Sequence, residues 1–245
     1  MTGHDPTGLA RSVGLWRAFR LEQSEPARFY RALAEDSVAQ VGAHLDLAGA
    51  DVVDVGGGPG WIAEAFRGAG ATCQIVERDR SELVKGAGAS PPVGVVMADG
   101  VALPFPDASF DLCFCSNVLE HVARPFAVLD ELVRTVRPAG VVFVAFTNWL
   151  SPWGGHETSP WHYLGGARAA RRYERRNGRP PKNRHGVTLF PVHVGQVLRW
   201  ARSHPSADLI EARPRYLPAW CQPIVAAPGL REIATWNLAV VLRRR

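Results

Sequence analysis

Asp51-Val52-Val53-Asp54-Val55-Gly56-Gly57-Gly58-Pro59-Gly60 begins as a strand and ends as a glycine turn, and residues 61–68 continue it at helical spacing. A buried strand, a turn whose glycines let the backbone close on a ligand, and a helix whose first amides face that ligand open a doubly wound α/β sheet. The pattern recurs downstream: residues 72–77, 93–98, 110–115 and 141–147 read as strands, with a short helix over 81–85 and a longer one over 125–136. Strand 141–147 is apolar on both faces, so cover is expected on both sides of a largely parallel sheet.

Upstream, residues 25–45 place Phe29, Leu33, Val38, Val41 and Leu45 at helical intervals, with Pro26 suited to a helix start. Residues 1–48 are therefore expected to form an N-terminal helical cap and 49–147 the ligand-binding core. About forty residues rich in Trp, Gly, His, Pro and Arg then break the pattern, a length that suggests function. We expect a lid over 148–190. A helix over 192–202, a strand near 208–212, a proline-broken apolar stretch over 214–228 and a final strand near 233–242 complete a single domain.

The chain has 245 residues, 47% apolar and 21% charged, ordinary globular values that argue against disorder, collagen and coiled coil. Its longest clean apolar run, 141–146, is far below the roughly 18 residues that cross a bilayer. Residues 1–7 hold His4, Asp5 and Pro6 where a secretory signal would have a basic start and an apolar run. Cys73, Cys113, Cys115 and Cys221 form no CxxC pair, and three lie in strand-like segments as small hydrophobes. A reducing cytoplasm is the expected compartment.

The net charge of +5 is local. Arg168, Arg171, Arg172, Arg175, Arg176, Arg179, Lys182 and Arg184 face a single acid, Glu174, so this stretch carries +7 and the rest of the chain −2. The spacing is that of a helical basic stripe ending at Asn177-Gly178 and Pro180-Pro181. Such a stripe is either a solvated face or an attraction to an anionic membrane surface or a phosphate-bearing substrate. Nucleic acid is disfavoured, because Tyr173 is the only aromatic residue interleaved with these cations.

Two cofactor classes use a turn like 56–60. In the dinucleotide register G-x-G-x-x-G, counting from Gly56 puts Trp61 at the third glycine, and counting from Gly58 reaches Ala63 but ends the strand two residues late. The remaining motifs favour the other class. Asp54 to Gly60, Glu77 at a strand end, Asp99 before Leu103-Pro104-Phe105, Phe110-Asp111, Asn117-Val118-Leu119-Glu120-His121 and Arg137-Pro138-Ala139-Gly140 follow one another in order. Together they resemble class I S-adenosylmethionine-dependent methyltransferases, in particular the small-molecule branch of the ubiquinone and menaquinone biosynthesis enzymes. The resemblance spans about residues 50–147, with Ala139 in place of the commoner glycine.

That resemblance implies a Rossmann-like sheet of seven strands, mostly parallel with an antiparallel last strand, and helices on both faces. It also implies S-adenosylmethionine as cofactor. Glu77 would accept from two ribose hydroxyls, and Asp99 from the adenine amino group, with Gly100 or Val101 offering a backbone amide. Gly56, Gly58 and Gly60 shape the turn, and Asp54 beneath it would hold loop amides or the methionine ammonium. Arg78 or Asp79 would border the ribose, and Ser116 and Asn117 would present carbonyls to the methionine moiety. No metal ligand set is visible in the His, Cys and Asp spacing.

Methyl transfer to a hydroxyl also needs alignment, exclusion of water and a base. His121, His156 and His162 are the candidate bases, the last two set among Trp149, Trp153 and Trp161 in the lid. Each also fits a structural role. The expected reaction is O-methylation of a small-molecule or lipid-linked acceptor. Carbon methylation of a quinol or phenol is the nearest rival, followed by a non-catalytic cofactor-binding module, an RNA methyltransferase and a nicotinamide enzyme.

Overall fold

The computed structural model describes residues 8–21, 24–84 and 92–245. The segment 1–7, on which the reading of a missing secretory signal rests, and Lys85, the end of the expected short helix, lie outside them. Among the described residues no helix is long and apolar enough to cross a membrane.

Helices α1 (Leu9–Arg20) and α2 (Pro26–Gly42) precede β1 (Asp51–Val55), α3 (Trp61–Gly68), β2 (Thr72–Glu77), β3 (Val95–Met97) and β4 (Phe110–Ser116). Then follow α4 (Pro125–Thr135), β5 (Val136–Thr147), α5 (Gly166–Asn177), α6 (Val194–Ser203), β6 (Ala207–Pro214), α7 (Leu230–Ala234) and β7 (Asn237–Arg244). The sheet order is β3-β2-β1-β4-β5-β7-β6; six strands run in one direction and β7 runs against its neighbours β5 and β6. This is the doubly wound α/β, Rossmann-like architecture the sequence implies, with helices on both faces.

Alternation explains the layering. In β1, β4 and β5 the residues Val53, Val55, Cys113, Cys115, Val142, Val144 and Phe146 point to one face, where Leu129 and Leu132 of α4 and Val197 and Leu198 of α6 pack. Their neighbours Val52, Leu112, Phe114, Val141, Phe143 and Ala145 point to the other face, against Val41 of α2 and Phe66 of α3. Period-two apolar residues on both faces bury the strands from each side.

Some boundaries differ from the sequence reading. Helix α4 stops at Thr135, and Val136 already pairs with Phe110, so Arg137-Pro138-Ala139-Gly140 lies within β5 at a register shift. Ala139 has φ 62°, a left-handed conformation that glycine adopts at no steric cost. The final strand starts at Asn237 because Ile233 belongs to α7. Within the proline-broken stretch, residues Ala219–Ala226 form a 3-10 helix.

Helix α1 was not legible in the sequence because its buried side includes Arg11 and Ser12. Arg11 is paired with Asp36 of α2 and also donates to the carbonyl of Arg215 at 2.8 Å. Arg215, fully buried, donates to Ser37 Oγ at 2.8 Å and to Ser116 Oγ at 2.6 Å. The N-terminal helices are thus fastened to the carboxyl end of β4 by guanidinium groups.

Candidate functional site

The sheet order reverses between β1 and β4, the position where open α/β sheets bind ligands beyond their strand carboxyl ends. The glycine turn, Glu77, Asp99, Ser116 and Asn117 all lie at or just beyond the carboxyl ends of parallel strands.

The turn needs its glycines. Gly56 has φ 77°, and a Cβ there would lie 2.3 Å from Val118; a Cβ on Gly57 would lie 2.6 Å from Asp54 Oδ2. At Gly58, by contrast, a Cβ would meet nothing within 4 Å, so this residue opens onto free space. Gly60 caps α3 with φ 86°.

Glu77 is nearly buried and holds the turn: Oε2 accepts from Gly58 N at 3.2 Å, and Oε1 from Arg78 N at 2.8 Å and Asp79 N at 3.0 Å. Arg78 reaches across to Asp99 at 3.4 Å. Asp99 Oδ1 also accepts from Val101 N at 3.2 Å, so the Val101 amide is already engaged in an Asx turn. A Cβ on Gly100 would press on Val55 and Val128, which ties this residue to core packing.

Asp54 lies beneath the turn, 1% exposed, and its Oδ2 has no hydrogen-bond partner. Burial, reinforced by the negative charge of Glu77 and opposed by Arg67, raises its pKa from 3.8 to about 7. The unfolded chain ionises this carboxyl near pH 4 while the folded chain keeps it protonated to about pH 7. Its contribution to stability is therefore complete in acid and falls as pH rises through that window, by about 4 kcal/mol at the upper end. Asp54→Asn removes this loss. In urea unfolding of the ligand-free protein, the variant should gain on wild type between pH 4.5 and 7.5; parallel curves would contradict the raised pKa.

At the end of β4, Ser116 accepts from Arg215, and Asn117 takes φ 57°. The Asn117 amide donates to Ala145 O at 2.8 Å and its Oδ1 accepts from Asn237 Nδ2 at 2.8 Å. The left-handed residue turns the chain so that Glu120 and His121 fall in a 3-10 turn, Leu119–His121, under the segment that follows β5.

That segment folds back over the strand ends. Phe190 N donates to Glu120 O at 2.7 Å, and Thr188 O accepts from His121 Nδ1 at 2.8 Å. A carbonyl accepts only, so Nδ1 carries the proton and Nε2 of the neutral ring a lone pair. His156, at φ 48°, lies with its ring centroid 5.2 Å from that of His121. Burial lowers the His156 pKa, an effect that Glu120 and Glu157 oppose and His121 and Lys182 reinforce.

Glu120 is 2% exposed; Oε1 accepts from Thr147 N at 2.9 Å, whereas Oε2 has no partner, and neither has His156 Nε2. The arrangement can take a proton from a hydroxyl or hold a cation. Sequence spacing gave no sign of it, because Glu120 is a lone acid and His156 comes 35 residues after His121.

His162 is not in this group. It is buried within the segment itself, beside Trp149 at 5.2 Å and Tyr163 at 4.1 Å between ring centroids, with Nδ1 3.3 Å from Ser159 Oγ. Burial lowers its pKa as well. A Cβ on Gly155 would lie 2.5 Å from its ring, so the imidazole packs directly on the backbone.

A family model described as a methyltransferase domain matches residues 53–144. Two curated relatives described as uncharacterized methyltransferases share most of the chain. One, from Mycolicibacterium vanbaalenii, is 48% identical over 98% of this chain and 96% of its own; the other, from Mycobacteroides abscessus, is 46% identical over 97% and 95%. Among solved structures, an S-adenosylmethionine-dependent methyltransferase from Mesorhizobium loti superposes with a TM-score of 0.57 at 22% identity, covering 86% of this chain and 98% of that one.

Proposed function

The chain belongs to the methyltransferase family, and from that premise we propose that it transfers a methyl group from S-adenosylmethionine to a hydroxyl oxygen of a small-molecule or lipid-linked acceptor. The observation that carries the oxygen assignment is the convergence of His121, His156 and Glu120 at the carboxyl end of β4. A hydroxyl must shed its proton, and this is the group able to accept it.

The residues present fit the cofactor. A buried, unpartnered Asp54 Oδ2, a turn that side chains at Gly56 and Gly57 would fill, and open space at Gly58 beside Glu77 suit a ligand carrying an ammonium group and ribose hydroxyls. Glu77 and Asp99 would take the ribose and adenine donors, Gly56 to Gly60 would line the chain between them, and Ser116 and Asn117 would border the methionine end. When bound, the sulfonium supplies a methyl group whose C–S bond breaks, its electron pair staying on sulfur, as the acceptor's C–O bond forms. Glu120 holds negative charge beside the two imidazoles and favours the cation that forms when either takes the hydroxyl proton. Residues 148–190, closed on Glu120 and His121 through Phe190 and Thr188, would exclude water.

Calorimetric titration with S-adenosylmethionine and S-adenosylhomocysteine, with NADH as control, tests the reading. Binding of the first two alone supports it and allows acceptors to be screened by product mass. Selective NADH binding would overturn it, and no binding at all would indicate a protein without this cofactor.

The cationic α5 supports a peripheral contact with an anionic membrane. Its arginines are exposed beside Trp161 and Leu164, each at least 42% exposed, and Arg172 lies 3.8 Å over the Trp161 ring. At about 1 kcal/mol per cation near an anionic bilayer, neutralising Arg168, Arg171 and Arg175 together should weaken binding to phosphatidylserine vesicles roughly 100-fold. Co-sedimentation with neutral vesicles should show little binding. Equal binding to both compositions would leave the stripe as a solvated face.

A further inference from the structure

We propose that Glu120, His121 and His156 bind a divalent first-row transition metal ion, of zinc-like preference, at the acceptor end of the site. Each residue offers one ligand atom, and the three atoms lie within 4.8 Å of one another. They come from two separate stretches, the turn after β4 and the segment after β5, and only the fold brings them together.

Three further features match such a site. Glu120 is 2% exposed, yet its Oε2 has no hydrogen-bond partner, and His156 Nε2 is likewise buried without one. A carboxylate oxygen and an imidazole nitrogen left unpaired away from water are costly, and a cation between them satisfies both. The remaining ligand is held from behind: His121 Nδ1 donates to Thr188 O at 2.8 Å, which leaves Nε2 as the ring nitrogen with a lone pair to offer a metal. Metal-binding histidines are held in this way, by a backbone carbonyl on the second ring nitrogen. Glu120 is fixed in turn through Oε1 and Thr147 N.

Two imidazoles and one carboxylate form the three-ligand set that leaves a coordination position open in catalytic zinc sites. Metal–ligand bonds of about 2.0–2.1 Å require ligand atoms about 3.4 Å apart, so the side chains close inward when the ion binds. His121 is reachable from solvent, which provides an entry path. Glu120 and Glu157 act on His156 as negative neighbours and Lys182 as a positive one.

The role of the ion rests on the methyltransferase reading above. With an ion bound, both imidazoles would be engaged as ligands, and an acceptor hydroxyl in the open position would be acidified by the cation and pass its proton to water at the solvent-reachable edge of the cluster, where His121 lies. The three side chains still lower the cost of ionising the acceptor, now through the metal they hold.

The full-length protein, stripped with a chelator and dialysed, is titrated with Zn²⁺ and with Co²⁺. One equivalent per chain and the visible bands of four- or five-coordinate Co²⁺ are expected. His121→Ala, His156→Ala and Glu120→Gln should each weaken binding about 100-fold or more, whereas His204→Ala should not. Retained S-adenosylmethionine binding in the three variants confirms that they are folded. Wild type that binds neither ion, or variants that bind as tightly as wild type, would overturn the proposal even if S-adenosylmethionine binds. Metal binding without S-adenosylmethionine binding would leave the site standing and remove the methyl-transfer reading instead.

Discussion

Glu77→Ala is expected to weaken S-adenosylmethionine binding by about 10² to 10⁴-fold. The carboxylate is nearly buried at the end of β2 beside the open face of Gly58, where a ribose would donate two hydroxyls to it. Hydrogen bonds to a charged group are worth about 1.5–3 kcal/mol each, and every 1.4 kcal/mol is tenfold in affinity. Glu77 also accepts from three backbone amides, those of Gly58, Arg78 and Asp79, so the alanine variant loosens the turn as well. Glu77→Gln separates the two causes, because it keeps the shape and one acceptor oxygen but no charge. A calorimetric Kd intermediate between wild type and alanine agrees with a ribose-binding carboxylate. Full recovery in Gln would reduce Glu77 to a brace for the turn, and an unchanged Kd in Ala would remove it from the cofactor site.

The second large effect lies at the other end of the site. His121→Ala and His156→Ala should each lower kcat by about 10² to 10⁴-fold, the usual worth of assistance to proton removal, while the cofactor Kd stays within about twofold. His162→Ala should act differently: its ring packs on Trp149 and the Gly155 backbone, so its loss shows as a lower Tm rather than a selective fall in kcat. Single-turnover rates on an acceptor found by product mass make the comparison. If neither His121→Ala nor His156→Ala slows the reaction, the acceptor is a carbon nucleophile that needs little help with a proton.

The two ends were unequally legible in the sequence. The cofactor end is written locally, because β1, the glycine turn and α3 are contiguous and Glu77, Asp99, Ser116 and Asn117 each lie at or just beyond the end of an apolar strand. The acceptor end depends on how residues 148–190 fold back, and no periodicity specifies that. Hence Glu120 was seen only as the neighbour of His121, while His162, similar in sequence to His156, turned out to face the interior of its own segment. Within the expected helical cap, α1 and its fastening to the sheet are not legible, for another reason. Arg11, Asp36 and Arg215 are buried through ion pairing and hydrogen bonding, so a search for apolar stripes passes over them.

The position of β7 between β5 and β6 governs the order in which the molecule can assemble. Until residues 237–244 have been synthesised, β5 has an open edge and β6 has no partner strand in the sheet. Arg215, at the end of β6, then reaches Ser37 only after a loop of 178 residues has closed. Contacts this distant slow folding and leave a nascent edge strand available to other chains. Removal of β7 would free β6 and unfasten α1 and α2 together, so a deletion at one end of the chain would be felt as a loss of order at the other.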